Sequence, residues 1–300
     1  TASERATPIV VQPPTPIDST RAACGVAGYA PLGARGPLVS RIGLSGHYGL
    51  EEEGFAAGVD AGINLFFWEP GYTTLSRFCQ RLSPTVKAQL HFVAGSFKAT
   101  RRGIRDDAHR ALKWLGVERL SLYLMFWTRG WNRFSEEVIE TLEQLEQAGD
   151  IGAFSLSTHN RELACEAMRG KDMCGARQRV WSPIMVRYSA AHRGAEQHVL
   201  PTALETGATV MTFNNTCYGR LLESAGDSPG ASAADCYRFA LAHPAVAVCW
   251  SAPANREQLN ENLAAWRSPE LSPEIRLALE THGARVYERD RTFTGLIRQR

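Results

Sequence analysis

The residues with chemistry to offer sit where apolar runs break off. The stretch Gly62–Tyr72, Gly-Ile-Asn-Leu-Phe-Phe-Trp-Glu-Pro-Gly-Tyr, reads as a buried strand ending at once in a proline-glycine turn that carries Trp68, Glu69 and Tyr72. A rigid strand aims the turn that follows it, which is why binding and catalytic loops begin at such junctions. A carboxyl beside an indole is poorly solvated, so Glu69 is expected to hold its proton above the usual carboxylate range. A phenol titrates near ~10, so Tyr72 keeps its proton and can donate it. His47 follows another apolar run and His159 with Asn160 a third, and imidazole changes charge near neutrality. Together these groups suit general acid–base work; singly, each is an ordinary loop residue. His47, Glu69 and His159 are also a two-His-one-carboxylate set in kind, but they come from different strands, and no metal site is expected.

The elements that must gather them form a regular alternation. Strands are expected at Val39–Leu44, Ile63–Phe67, Leu90–Ala94, Leu120–Leu124, Ile151–Ser155, Arg179–Ile184, Ala208–Thr212 and Ala245–Cys249, with amphipathic helices between them. Ser135 ahead of Glu136 and Glu137 caps one helix, and Gly149 ends it. Residues 27–44 suit a hairpin leading into the first strand, and Pro273–Glu288 a closing helix. Such a pattern predicts an α/β fold, a (β/α)₈ TIM barrel with an N-terminal β-hairpin and an extra C-terminal helix. No GxGxxG follows a strand, which disfavours a doubly wound open sheet. Residues 23–300 form a single domain, preceded over residues 1–22 by a proline-rich, loosely draped arm. In a barrel the site lies at the C-terminal strand ends, which is how His47, Glu69, Tyr72 and His159 come to share one mouth.

Composition narrows the partners. With 44% hydrophobic residues and a net charge of +2 from 33 basic and 31 acidic residues, there is a large core and no electrostatic footprint for nucleic acid or a membrane surface. No apolar run is long enough to span a bilayer and the first residues lack a signal peptide's apolar core. Seven scattered cysteines without a CxxC pair predict a reducing, cytoplasmic setting. The partner is expected to be a small molecule; oligomeric state is not legible.

An ordered set of blocks resembles the aldo-keto reductases. Tyr29…Leu32-Gly33…Gly36…Val39 to Gly46 is similar to that family's hairpin and first strand. Gly62-Ile-Asn, Leu115 to Leu120, Gly149-Asp-Ile-Gly, Ala191 to Glu196, Gly219-Arg-Leu and Glu257 to Asn262 follow in family order. The resemblance implies a tetrad of Asp, Tyr, Lys and His in which Tyr protonates a carbonyl. Here Tyr72 keeps its place, but Phe67 stands at the Asp, Phe97 at the Lys and Phe126 at the His. Phenyl neighbours raise a phenol's pKa by desolvation, so Tyr72 either donates weakly or only plugs the mouth. Lys98, one residue beyond the Lys position, is a candidate cation, although a one-residue shift on a strand turns a side chain to the other face. The catalytic candidates are thus Tyr72, His47, Glu69 and Lys98, and those of the substrate pocket Trp68, Phe126, Trp127, His159 and Tyr188.

For the cofactor, the resemblance implies a nicotinamide site at Ser157, Thr158, Phe213, Asn214 and Thr216, with Met185 at the usual Gln. It places adenine contacts at Gln258, Glu261 and Asn262, while Ala252 stands at the usual glycine and Pro253 lacks an N–H. Arg256 is placed to pair with a 2′-phosphate, which favours NADP(H). The expected function is an NADP(H)-dependent oxidoreductase of a small apolar or aromatic carbonyl compound with a non-standard site. Two alternatives stay open: a cofactor-independent lyase, cyclase or isomerase on the same barrel, suited by its aromatic mouth, and a non-catalytic binding protein.

Overall fold

The computed structural model describes residues 11, 28–34, 36–170 and 179–289. Strands β1 (Tyr29–Pro31) and β2 (Leu38–Ser40) pair as an antiparallel hairpin. Eight parallel strands then close a barrel: β3 (Ile42–Ser45), β4 (Leu65–Phe67), β5 (His91–Ser96), β6 (Leu122–Met125), β7 (Phe154–Thr158), β8 (Ile184–Arg187), β9 (Val210–Phe213) and β10 (Val246–Ser251), with β10 hydrogen-bonded to β3. Outside it lie α1 (Glu52–Asp60), α2 (Thr73–Arg81), α3 (Pro84–Lys87), α4 (Arg101–Leu115), α5 (Glu136–Ala148), α6 (Arg161–Met168), α7 (Val199–Thr206), α8 (Ala233–Leu241), α9 (Arg256–Arg267) and α10 (Pro273–Arg289). The expected barrel, hairpin and closing helix are all present. Ser135 caps α5 through Val138 N, and Gly149 ends it in the left-handed region at φ 86°.

Strand boundaries shift for physical reasons. The strand expected over Val39–Leu44 is two, broken at Arg41, whose amide donates to Gly28 O. Its guanidinium donates to Leu241 O and Val246 O, both at 2.8 Å, tying the break to the lower end of β10. The strand expected over Arg179–Ile184 starts only at Ile184, because Pro183 has no N–H for a central ladder. Ile151 makes only an isolated bridge to Leu120, and β7 begins at Phe154. Helix α2 was not expected; it buries Leu75, Phe78 and Cys79 on one stripe. Of the arm expected over residues 1–22, only Val11 is described, and it is buried in the outer core.

Two apolar layers follow from strand alternation. Leu65, Phe67, Val93, Leu122, Leu124, Met185 and Met211 point into the barrel, where Leu32 and Val39 of the hairpin join them. Phe66, Phe92, Ala94, Tyr123, Phe154 and Leu156 point outward against the helices. The inner layer is tight at Gly95: a Cβ there would lie 2.1 Å from Leu124 O and 2.8 Å from the Phe126 ring. Gly95→Ala is therefore expected to cost about 2 kcal/mol, read as a lower denaturation midpoint with unchanged slope.

Candidate active site

At the C-terminal end of the barrel the chain brings three of the expected groups together. Tyr72 immediately precedes α2, and its Cβ lies where only a glycine at position 46 leaves room, 2.8 Å from an ideal Cβ there. The Tyr72 hydroxyl lies 3.3 Å from His47 Nδ1 and donates at 3.3 Å to Glu69 Oε1. Ser45, at the end of β3, lies near enough to favour the phenolate. The barrel topology already places Ser45 at the mouth, although the sequence assigns it no role.

Beneath Tyr72 the floor is aromatic. Phe67 lies 6.5 Å from the Tyr72 ring, 5.5 Å from Phe126 and 5.2 Å from Trp250, centroid to centroid. The Trp250 ring fills the space that a side chain at Gly43 would need. Desolvation, then the Glu69 charge, pushes Tyr72 well above the usual phenol range; Ser45 opposes this. Desolvation also raises Glu69, against the opposing pull of Tyr72 and His47. Tyr72 thus holds its proton at any physiological pH, and Glu69 is a carboxyl that titrates closer to neutrality than most.

Three expected members are elsewhere. Lys98, two residues past the end of β5, turns outward, and its Nζ pairs with Asp107 Oδ1 at 3.0 Å. It supplies no cation to Tyr72. Trp68 also faces outward, its Nε1 donating to Ser76 Oγ at 2.8 Å, so it lines no pocket. Tyr188 is buried in the outer layer with its hydroxyl on Glu196 Oε1 at 2.8 Å. For Trp68 and Tyr188 the residue before faces inward, and alternation sends the next one to the helices.

On the far side of the mouth, Trp127, His159 and Phe213 form a ring sequence, with centroids at 6.3 Å and 5.4 Å. His159 is lowered to about 4, first by desolvation and then by Arg187. Solvent at its exposed edge tempers that shift, but the direction leaves the ring neutral at pH 7. Phe126, also expected in the pocket, is part of the floor. Arg187, the inward residue two places after Met185, lies where the barrel topology puts the mouth, although the sequence assigns it no role. Sequence reasoning missed Arg133, which donates to Phe126 O at 2.8 Å and Ser96 O at 3.2 Å.

The residues expected to hold a nicotinamide divide into two groups. Phe213 is half-buried and inward, and Ser157 Oγ, nearly buried, accepts Trp127 N at 2.9 Å while keeping its own proton to donate. Asn214 Nδ2 and Asn215 Oδ1 are buried at the end of β9 with no partner. Asn215 is tied by its Nδ2 to Thr212 Oγ1 and Tyr188 O on the outer side, whereas the unmet Asn214 donor follows the inward Phe213 and fits an amide-bearing aromatic group. Thr216 Oγ1 accepts Gly219 N at 3.3 Å. Thr158, by contrast, faces outward and donates to Thr128 O at 2.6 Å. At the far end, Gln258 Oε1 accepts Ala254 N, Glu261 Oε1 accepts Ala233 N, and Asn262 Nδ2 donates to Ser251 Oγ. These expected adenine contacts are spent on the protein itself, while Arg256 stays exposed on the first turn of α9. Among the described residues no three His, Cys, Asp or Glu side chains gather as a metal site would need, and no helix is long and apolar enough to cross a membrane.

Comparison with known proteins gives the architecture its relatives. A family model described as the aldo/keto reductase family matches residues 93–232. No curated protein matches the chain significantly. Among solved structures, the holo form of an aldo-keto reductase from Bacillus halodurans superposes with a TM-score of 0.71 at 19% identity, covering 88% of this chain and 99% of that one. Its apo form gives 0.67 at 19% identity over the same shares. A protein from Pseudomonas aeruginosa described as an aldo-keto reductase gives 0.64 at 21% identity, covering 80% of this chain and 94% of that one. At these identities the superpositions speak for the fold alone. The family model matches from within β5 to the start of α8, and the hairpin-plugged barrel as a whole has the fold of these aldo-keto reductases.

Proposed function

We propose that the protein is a divergent, NADP(H)-dependent oxidoreductase that reduces a small apolar or aromatic carbonyl compound, with Tyr72 as proton donor. The observation that carries this is the Tyr72 hydroxyl held between Glu69 and His47 at 3.3 Å each. With Glu69 ionised, the Tyr72 proton is directed at the carboxylate and away from a substrate. With Glu69 protonated, the carboxyl donates to the phenol oxygen and frees the phenol proton for a carbonyl oxygen. His47 at the same oxygen steadies the charge that develops there as the proton leaves. In this reading Glu69 and His47 do the work that the family assigns to other side chains.

Ser157, Phe213, Asn214 and Thr216 would hold the nicotinamide end, and Arg256 a 2′-phosphate. When bound, the cofactor supplies hydride to the carbonyl carbon. The aromatic floor of Phe67, Phe126 and Trp250 excludes water from beneath the reacting bond. A reducing, cytoplasmic setting is supported by the free and buried state of Cys79, Cys165, Cys217, Cys236 and Cys249.

Titrating the protein with NADPH and following nicotinamide fluorescence tests the reading; saturable binding is the expected result, with weakening in Arg256→Gln. No binding up to millimolar NADPH would sink it. The second reading, a hydride-free lyase, cyclase or isomerase, is favoured by Gln258, Glu261 and Asn262 being spent within the protein. It would then be the one to pursue.

A further inference from the structure

Beside the floor, the loops after β5 and β6 enclose a depression of about 380 Å³ lined by Phe97, Trp127, Arg129, Asn132 and Arg133. Its aromatic walls are open to solvent, Phe97 being 58% and Trp127 47% exposed. Trp127 is held at φ 50°, a left-handed conformation that a bulky side chain rarely takes. Its amide donates to Ser157 Oγ at 2.9 Å, and that of Thr128 to Ser157 O at 2.8 Å, so the strained backbone is pinned from both sides. The indole is thereby fixed at the lip rather than folded into the core.

The polar lining of this depression is cationic. The Arg129 guanidinium sits over the Trp127 ring at 5.1 Å. Arg133 donates only to backbone carbonyls, at Phe126, Ser96 and, at 3.5 Å, Lys98, and its Nε is buried with no partner. Desolvation lowers Arg133, and no charge offsets it. Asp107, on α4, is taken up by Lys98, Arg110 and Ser96, and Glu166 accepts from Trp131 Nε1. Among the described residues no carboxylate lines the depression. A partly desolvated cation with only carbonyl partners is a standing cost that an entering acid group relieves.

We propose that this depression binds a flat aromatic carboxylate, its ring between Phe97 and Trp127 and its acid group on Arg129 and Arg133. The Phe97 and Phe126 rings are 5.1 Å apart and Phe126 joins Phe67 beneath Tyr72, so one continuous aromatic surface leads from the depression to the phenol. A ligand anchored by its acid group here reaches toward Tyr72 with its other end. That this ligand is the substrate, an aromatic acid bearing a carbonyl, rests on the reaction proposed above; the binding itself does not.

The test is calorimetric titration, without nicotinamide, of naphthoate and of its neutral counterpart naphthylmethanol. Naphthoate should bind about tenfold more tightly than the alcohol, as a charge-assisted contact gives. Arg129→Gln should weaken naphthoate about fivefold, as should raised salt, and leave the alcohol unaffected. Arg256→Gln should change neither. Equal affinity for the two ligands, or an unchanged Arg129→Gln variant with naphthoate, overturns the proposal. Naphthoate binding in a protein that ignores NADPH would refute the reaction and keep the pocket; the reverse result would refute the pocket alone.

Discussion

Tyr72→Phe is expected to lower kcat/KM for carbonyl reduction by about 10³-fold, the range lost when a positioned general acid is removed. The melting temperature should hardly move. The phenyl ring still packs on Gly46 and Phe67, and the hydrogen bonds lost are long and half-exposed. Glu69→Gln separates the acid from its supply. If a protonated Glu69 frees the phenol proton, wild-type kcat/KM falls as pH rises through a value above the ordinary carboxyl range, because burial raises Glu69. The glutamine variant should lose that limb while keeping its low-pH rate. Turnover unchanged in Tyr72→Phe would make Tyr72 a plug; an unchanged limb in Glu69→Gln would assign the titration to another group.

The second large effect is on stability. His91 is half-buried with Nδ1 at 3.1 Å from Ser121 Oγ, and desolvation lowers it to about 4. His192 is buried beside Cys217 Sγ at 3.6 Å and the Tyr287 ring at 5.5 Å. Desolvation first, then Arg187, lowers it to about 3. Both bind a proton less readily folded than unfolded, so the unfolded chain takes up protons first as pH falls. Their contribution is complete above ~6.5, the unfolded imidazole value, and is lost as pH drops from there toward 4 for His91 and 3 for His192. At pH ~5 that is about 2 kcal/mol each, roughly 4 kcal/mol together. Glu69, shifted the other way, offsets only a part. Denaturant midpoints followed from neutral pH downward should fall steeply, and His91→Gln should make the fall shallower. A flat profile over that window would show that these rings charge without cost.

Much of the architecture was legible because eight apolar runs alternate with helical periodicity, a pattern that few folds satisfy. Boundaries were less so. The runs at Val39–Leu44 and Arg179–Ile184 read as single strands, yet Arg41 breaks one and Pro183 delays the other, and neither signal is apolar. At the site, strand parity was the decisive unused information. It would have sent Trp68, Thr158 and Tyr188 outward. The meeting of His47, Glu69 and Tyr72 could be anticipated, since a barrel gathers strand ends into one mouth. What Gln258, Glu261 and Asn262 bind could not, because an amide or carboxylate on a helix face looks the same whether its partner is a ligand or the neighbouring backbone.

The packing of Phe67 with Phe126 and Trp250 also makes a polar group hard to install beneath Tyr72. An aspartate introduced at position 67 alone would sit among the Phe126, Trp250 and Tyr72 rings, with Lys98 committed to Asp107 on the outer face. An unpaired carboxylate in such surroundings either costs several kcal/mol or stays protonated and idle. A histidine introduced alone at position 126 meets the same apolar neighbours. Polar substitutions in this floor are losses unless they arrive with their partners, so the rings make the site resistant to change one residue at a time.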